Sequence, residues 1–221
     1  MSAAGGRRPV GVAVAGFGWM GRVHTQAYAR VLHHFPELPL APELVAVADE
    51  VPGRAEEAAA QFGFATATRD WRELAANPGV QAVSITAPNF LHREIGVAMA
   101  QAGKHLWMEK PVGLTTDDAR AVADTAVFVP ERARPTTYQD QPVSTVRVGP
   151  GNGQYGAFQP GSAIAMGFDD LKVVEAWNFL RSIAEGTPHG TTLADAVRSA
   201  ATLDAMASSA ETGAWVKVAN R

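Results

Sequence analysis

The chain has 221 residues, 47% of them hydrophobic and 19% charged, so it is too apolar to be disordered and can bury a core as one large domain or two small ones. Its net charge of −3 gives no reason to expect a nucleic-acid or membrane partner, and the lack of cysteine excludes disulfides and thiolate metal sites. No apolar run reaches the length of a membrane span, and we therefore expect a cytoplasmic protein. We assign no residues of the sequence as metal ligands.

The most informative segment is a glycine-rich turn near the start of the chain. A predicted buried strand over 10–15 is followed by Gly16, Gly18 and Gly21, and then by a predicted helix that extends to about His34. In a Gly-x-Gly-x-x-Gly turn the first glycine permits the tight turn, the second lets backbone approach a pyrophosphate, and the third lets helix and strand pack closely. The helix N-terminus favours the negative charge of the pyrophosphate. The segment therefore predicts a dinucleotide site, with an ordinary glycine-rich turn as the alternative.

The rest of the first half alternates strands and helices. A proline-containing loop over 35–42 precedes the following predicted elements: strands at 44–48, 80–86 and 104–108, and helices at 52–62, 71–76, 89–102 and 115–123, the last capped by Thr115 or Thr116. Such alternation implies right-handed crossovers and a parallel sheet covered on both faces. We therefore predict an α/β fold, with a doubly wound nucleotide-binding domain over residues 8–125.

The second half has a different pattern. Its predicted elements are short strands at 126–129 and 143–148, a glycine-rich loop at 150–161, helices at 169–185 and 191–211, and a final strand at 215–218. Gly213 is placed to end the second helix. We therefore predict a shortened α+β C-terminal domain over 126–221 with two closing helices, and this domain can support a homo-oligomer.

Asp49 follows the second predicted strand and is the candidate acceptor for the adenosine ribose hydroxyls. It lies 28 positions after Gly21, which exceeds the usual spacing of about 20 because of the proline-containing loop. A carboxylate here favours NAD over NADP, since it would repel a 2′-phosphate, whereas nearby Arg54 keeps NADP possible. The alternative for Asp49 is a solvated acid at the end of a strand.

The sequence Thr-Ala-Pro-Asn-Phe-Leu-His follows the next strand, over 86–92. Ligands of doubly wound sheets bind outside the carboxyl ends of the strands, which places this turn at the expected edge. Pro88 disfavours helical geometry at the residue before it and so predicts a sharp turn. Asn89 either caps the following helix or contacts the nicotinamide side. For His92 taken alone, the position favours a packed histidine of the first helical turn, with a catalytic histidine as the alternative.

Glu-Lys-Pro at 109–111 ends the following strand at the same edge. Oxidation of an alcohol requires hydride transfer to the nicotinamide and loss of the hydroxyl proton. A lysine beside that hydroxyl can polarise it or act as the base. Lys110 is therefore the candidate catalytic residue, with a surface lysine as the alternative.

The glycine turn at 16–21, the segment at 86–92 and Glu-Lys-Pro at 109–111 together resemble motifs of the Gfo/Idh/MocA oxidoreductases. This is the family of glucose–fructose oxidoreductase and inositol dehydrogenase. The resemblance covers nearly the whole first half and returns over about the last 50 residues. It implies an NAD(P)-binding Rossmann domain followed by an open-sheet domain that binds a sugar, a polyol or a related substrate. It also implies an enzyme that transfers a hydride between nicotinamide and that substrate.

The resemblance assigns roles to particular residues. The pyrophosphate would be held by Gly16, Phe17, Gly18, Trp19, Met20 and Gly21, and the ribose by Asp49, with Arg54 close by. The nicotinamide approach would be lined by Thr86, Pro88, Asn89 and His92. Lys110 would be the active-site lysine, with Glu109 beside it among the cofactor-binding residues.

The sequence also departs from the family pattern. Family members carry an Asp-x-x-x-His helix after the Glu-Lys-Pro strand, and its histidine commonly transfers the proton. No such motif follows Pro111, and the only later histidine is His189, in a loop between the closing helices. The pattern indicates that one or two internal segments of the substrate domain are absent. The alternative function is therefore a catalytically impaired dinucleotide-binding remnant, or an interaction module that pairs with another subunit.

Overall fold

The computed structural model describes residues 6–126, 151, 153–158 and 166–219. Its strands are β1 (Arg8–Ala15), β2 (Leu40–Ala48), β3 (Thr66–Thr68), β4 (Ala82–Ile85) and β5 (His105–Met108). Its α-helices are α1 (Trp19–His34), α2 (Arg54–Phe62), α3 (Arg72–Ala76), α4 (His92–Gln101), α5 (Thr116–Thr125), α6 (Phe168–Glu185) and α7 (Leu193–Thr212). Single 3₁₀ turns cover Asn89–Leu91 and Gly153–Ala157. The predicted strand at 143–148 and most of the one at 126–129 lie outside the described residues.

The five strands form one parallel sheet in the order β3-β2-β1-β4-β5. This order reverses direction between β1 and β4, and such a switch point leaves a crevice beyond the carboxyl ends of the strands. Ala15 pairs with both Ala48 and Ile85, so the turns that follow these three strands meet at one edge. The predicted doubly wound α/β fold is confirmed, and the sheet brings the predicted site segments together.

Helices cover both faces of the sheet. On one face α1 and α6 bury a cluster that includes Val12 of β1, Val31 of α1 and Leu180 of α6. On the other face, α3 and α4 pack against β1, β2 and β4. Trp177 of α6 stacks on Phe35, which follows α1, with ring centroids 4.8 Å apart. Thus α6, although far along the chain, contributes directly to the core of the nucleotide-binding fold.

Several predicted boundaries differ from those observed. Strand β2 begins at Leu40 and includes Pro42, although the sequence predicts that Pro42 belongs to the loop before the strand. Proline is tolerated there because β3 pairs only with Ala46–Ala48, so this stretch of β2 lacks a strand on one side. The three-residue strand β3 is too short to give a periodic signal. Thr115 is the residue that caps α5, because its hydroxyl accepts the N–H of Asp118.

The predicted final strand at 215–218 is wrong. Gly213 ends α7 in a left-handed conformation, as predicted, but residues 214–219 form no strand and Trp215 is completely exposed. Alternating polar and apolar residues form a strand only beside another strand that supplies hydrogen bonds, and none of the described strands lies there. The described part of the C-terminal region is therefore helical.

Candidate cofactor-binding site

The three glycines of the turn after β1 have different surroundings. Gly16 has φ +90°, and a Cβ atom there would lie 2.5 Å from the backbone of Ala87. A Cβ on Gly21 would lie 2.4 Å from the carbonyl oxygen of Gly16. A Cβ on Gly18, in contrast, would meet no described atom within 4 Å. The first and third glycines are therefore required by packing within the chain, whereas the second borders open space.

The N-terminus of α1 faces the same open space. Its N-cap residue is Gly18, no side chain makes a capping hydrogen bond, and the first turn carries no acidic residue. The first N–H groups of a helix, here those of Trp19 and Met20, have no acceptor within the helix. Unpaired N–H groups and the helix dipole favour an anion at this position. The turn thus fits the pyrophosphate of a dinucleotide, as the sequence predicts.

Asp49 lies beside this turn and is 7% exposed. One carboxylate oxygen accepts the N–H of Phe17 at 2.7 Å, and the other accepts the N–H of Val51 at 2.9 Å. The guanidinium of Arg54 lies 3.3 and 3.4 Å from the two oxygens. Asp49 therefore fixes the glycine turn while its carboxylate stays at the sheet edge where a ribose is expected. The bond to the ribose stays a prediction.

The turn after β4 is tied to the glycine turn and to the turn after β5. The Thr86 hydroxyl donates to the carbonyl oxygen of Gly16 at 2.5 Å. The buried His92 ring has Nδ1 2.7 Å from the carbonyl oxygen of Pro111 and Nε2 2.8 Å from that of Ala87. Both ring nitrogens of His92 thus face main-chain carbonyl groups, and the side chain joins two turns. Its predicted contact with nicotinamide is not tested by this arrangement.

Pro88 and Asn89 are exposed at the start of the 3₁₀ turn that precedes α4. Neither this turn nor α4 has a side-chain capping hydrogen bond, so Asn89 does not cap the helix. Of the two roles predicted for Asn89, the capping role is therefore wrong. Its proximity to nicotinamide stays a prediction.

Glu109 differs from the other predicted site residues because it is paired inside the protein. It is 8% exposed, and its Oε1 lies 2.5 Å from Nζ of Lys172 and 3.0 Å from Nε2 of His24. Burial by itself raises the pKa of Glu109, but hydrogen bonds from His24 and Lys172 and the charge of Lys172 outweigh it and lower the pKa to about 2. The carboxylate is therefore charged and held by α1 and α6.

His24 completes this buried group. Its ring is completely buried and stacks on Trp107 with centroids 3.8 Å apart. Burial disfavours the imidazolium and lowers the pKa of His24 despite the bond to Glu109. Nδ1 has no hydrogen-bond partner, which fits a neutral ring that donates from Nε2 to Glu109. Sequence patterns missed both His24 and Lys172; the one available signal for Lys172 was a lysine within an apolar stretch of a helix.

Lys110, the next residue after Glu109, is exposed at the carboxyl edge of the sheet. Its amine has no hydrogen-bond or ion-pair partner within the described part of the chain. The same part of the chain holds no cluster of three or more histidine, aspartate or glutamate residues suited to a metal ion. None of its helices is long and apolar enough to cross a membrane.

Comparison with known proteins agrees with this geometry. A family model described as the oxidoreductase family with an NAD-binding Rossmann fold, GFO_IDH_MocA, matches residues 10–131. The chain belongs to the Gfo/Idh/MocA oxidoreductase family. The matched segment contains the glycine turn, Asp49, the turn after β4 and Lys110, so the resemblance of these motifs is confirmed.

Two curated relatives match the first half of the chain. Levoglucosan dehydrogenase of Pseudarthrobacter phenanthrenivorans is 41% identical over 113 residues, which are 51% of this chain and 29% of that protein. Inositol 2-dehydrogenase/D-chiro-inositol 3-dehydrogenase of Lactiplantibacillus plantarum is 34% identical over 114 residues, 51% of this chain and 31% of that protein. The match to this Gfo/Idh/MocA chain therefore spans less than a third of either relative.

Two solved structures extend the comparison. Levoglucosan dehydrogenase in complex with NADH superposes with a TM-score of 0.85 and 21% identity, over 97% of this chain and 100% of that chain. At that identity the likeness shows a shared fold. An NAD-binding oxidoreductase from Klebsiella pneumoniae superposes with a TM-score of 0.51 and 39% identity, over 53% of this chain and 31% of that one. Similarity of fold thus reaches beyond the segment that matches in sequence.

Proposed function

We propose that this Gfo/Idh/MocA chain binds NAD(H) at the carboxyl edge of its sheet and transfers a hydride between nicotinamide and a sugar- or inositol-type alcohol. The observation that carries the proposal is the uncapped N-terminus of α1 beside Gly18, whose missing side chain leaves space for a ligand. When bound, the nicotinamide supplies the hydride acceptor or donor. The charge of Asp49 favours NAD over NADP, although Arg54 partly offsets that charge.

The substrate class rests on the relatives. Two are named for dehydrogenation of levoglucosan and of inositol, and a structural neighbour is a complex with NADH and L-sorbose. These compounds share ring or chain alcohols with several neighbouring hydroxyl groups. A carbohydrate-like alcohol, or the ketone formed from it, is therefore the proposed substrate.

Lys110 is the proposed catalytic residue. Its exposed amine follows β5, at the same edge as the glycine turn, and is not engaged by any described residue. An ammonium group can donate a hydrogen bond to the reacting oxygen, and a neutral amine can take its proton. Glu109 is not free for either task because Lys172 and His24 already occupy its carboxylate.

A second candidate is cofactor binding without turnover. It is favoured by the short match to the curated relatives and by the lack of an Asp-x-x-x-His motif after Pro111. Such a chain would keep the nucleotide edge and lack the group that passes the proton onward. It would bind NADH without turning over a substrate.

The two candidates are separated by measuring binding and turnover on the same preparation. NADH and NADPH are titrated against the chain while Trp fluorescence is recorded, and NAD⁺ reduction is followed with a panel of inositols and sugars. Lys217, an exposed lysine after α7, provides the control variant Lys217→Ala. Turnover that disappears in Lys110→Ala and persists in Lys217→Ala supports the proposed oxidoreductase activity. Saturable binding without turnover supports the second candidate, and absence of binding at millimolar NADH refutes both.

A further inference from the structure

The buried group formed by Glu109, Lys172 and His24 lies directly beside the proposed catalytic lysine. Glu109 and Lys110 are consecutive, so their Cα atoms are about 3.8 Å apart. The main-chain N–H of Glu109 donates to the carbonyl oxygen of Ile85 at 2.9 Å, which holds this position against the end of β4. A Glu109 carboxylate released from its present partners would therefore leave an unpaired negative charge one residue away from Lys110.

Lys172 pairs with the Glu109 carboxylate and offsets its charge. Its side chain and that of Glu109 are each 9% exposed, and their charged atoms are 2.5 Å apart. Lys172 comes from α6, which packs against α1 in the core, so its position does not depend on the loop that carries Lys110. Nζ of Lys172 also lies 2.8 Å from Glu175, whose carboxylate is closer to solvent. One buried ammonium thus holds two carboxylates.

His24, on α1, contacts the same oxygen of Glu109 that Lys172 of α6 contacts. Its Nε2 lies 3.0 Å from Oε1, and its ring is fixed by stacking on Trp107 of β5. Because α1 begins at the glycine turn, this contact connects the predicted pyrophosphate site to the end of β5. The Glu109 carboxylate is consequently anchored on the side of the sheet covered by α1 and α6.

We propose that Lys172, supported by His24, is a positioning residue for Lys110: it binds the Glu109 carboxylate and so leaves the Lys110 amine free for the substrate. The inference rests on the proposed role of Lys110. Without Lys172, the Glu109 carboxylate would draw in the Lys110 ammonium, because opposite charges at such short range favour the charged form and the paired geometry. Helix α6 would then be part of the catalytic support.

The test measures the reactivity of the amine itself. The chain contains four lysines, Lys104, Lys110, Lys172 and Lys217, so brief acetylation with an N-hydroxysuccinimide ester followed by peptide mass spectrometry reports each site separately. Only neutral, unpaired amines react. In the 221-residue chain, the rate at Lys110 is expressed relative to that at exposed Lys217.

We expect this ratio to fall about 3- to 10-fold in Lys172→Met, because Glu109 then pairs with Lys110. Lys172→Arg, which keeps the charge, should retain the wild-type ratio. The double variant Glu109→Gln/Lys172→Met, which has no carboxylate at residue 109 to pair with Lys110, should restore it. If Lys172→Met does not fold, Lys172→Leu is used in its place, since it also removes both the charge and the N–H donor that hold Glu109.

An unchanged or increased ratio in the charge-removing variant would overturn the proposal, since it would show that Glu109 does not pair with the exposed Lys110 amine when Lys172 is absent. A fall that persists in the double variant would also overturn it. The assay needs neither cofactor nor turnover. A failure here is therefore distinguishable from failure of NADH binding or of catalysis, which are measured separately.

Discussion

Gly18→Ala should lower the affinity for NADH with little effect on stability, whereas Gly21→Ala should lower the stability of the fold. Gly18 has φ −79°, which alanine adopts freely, and its Cβ would meet no described atom within 4 Å. The free energy of unfolding should therefore change by less than about 1 kcal/mol, the usual difference between glycine and alanine at an N-cap. The added methyl group occupies the space assigned to the pyrophosphate, so NADH affinity should fall about ten-fold or more, about 1.4 kcal/mol.

Gly21→Ala instead places Cβ 2.4 Å from the carbonyl oxygen of Gly16, well inside the ordinary contact distance. Overpacking of this kind costs about 1–3 kcal/mol, which exceeds the gain of about 1 kcal/mol from replacing glycine within a helix. We expect Gly21→Ala to lower stability, measured by urea unfolding, while Gly18→Ala lowers affinity, measured by NADH titration. Wild-type NADH affinity in Gly18→Ala, or a Gly21→Ala variant more stable than the wild type, would refute these assignments.

Three further predictions concern side chains at the sheet edge. The pKa of Glu109 is lowered from 4.5 to about 2, so the charged carboxylate stabilises the fold above pH 4.5 and this stabilisation is lost as the pH falls towards 2. Urea unfolding over this range should show the free energy of unfolding falling by at most about 3 kcal/mol. In Glu109→Gln this pH dependence should be absent. Asp49→Asn removes the charge that opposes a 2′-phosphate, so the ratio of NADPH to NADH affinity should rise about five-fold or more, and an unchanged ratio would contradict the role of Asp49. Thr86→Val removes the bond to Gly16 and should cost about 1 kcal/mol of stability, whereas a neutral result would mean that this bond does not hold the glycine turn.

The nucleotide edge could be predicted from the sequence because its parts obey local rules. Gly16, Gly18 and Gly21 follow a strand and begin a helix, and Asp49 and Lys110 follow strands whose carboxyl ends share one edge in a parallel sheet. Each segment could therefore be placed without knowledge of distant contacts.

The support beneath that edge could not be predicted in this way. Glu109 and Lys172 are 63 residues apart, and their contact exists only because α6 packs on α1. The same limit explains the wrong final strand, since the alternating residues around Trp215 gave no information about whether another strand lies beside them. Long-range packing, which no local pattern encodes, decided both cases.

The glycine turn and the N-terminus of α1 form the proposed binding site for a nicotinamide dinucleotide. Binding there is tested most directly by titrating the 221-residue chain with NADH and following the quenching of Trp fluorescence, because exposed Trp19 is the first residue of α1. We predict a saturable change for the wild type that shifts to higher NADH concentration in Gly18→Ala. No saturable change up to millimolar NADH, with the chain folded, would contradict the claim.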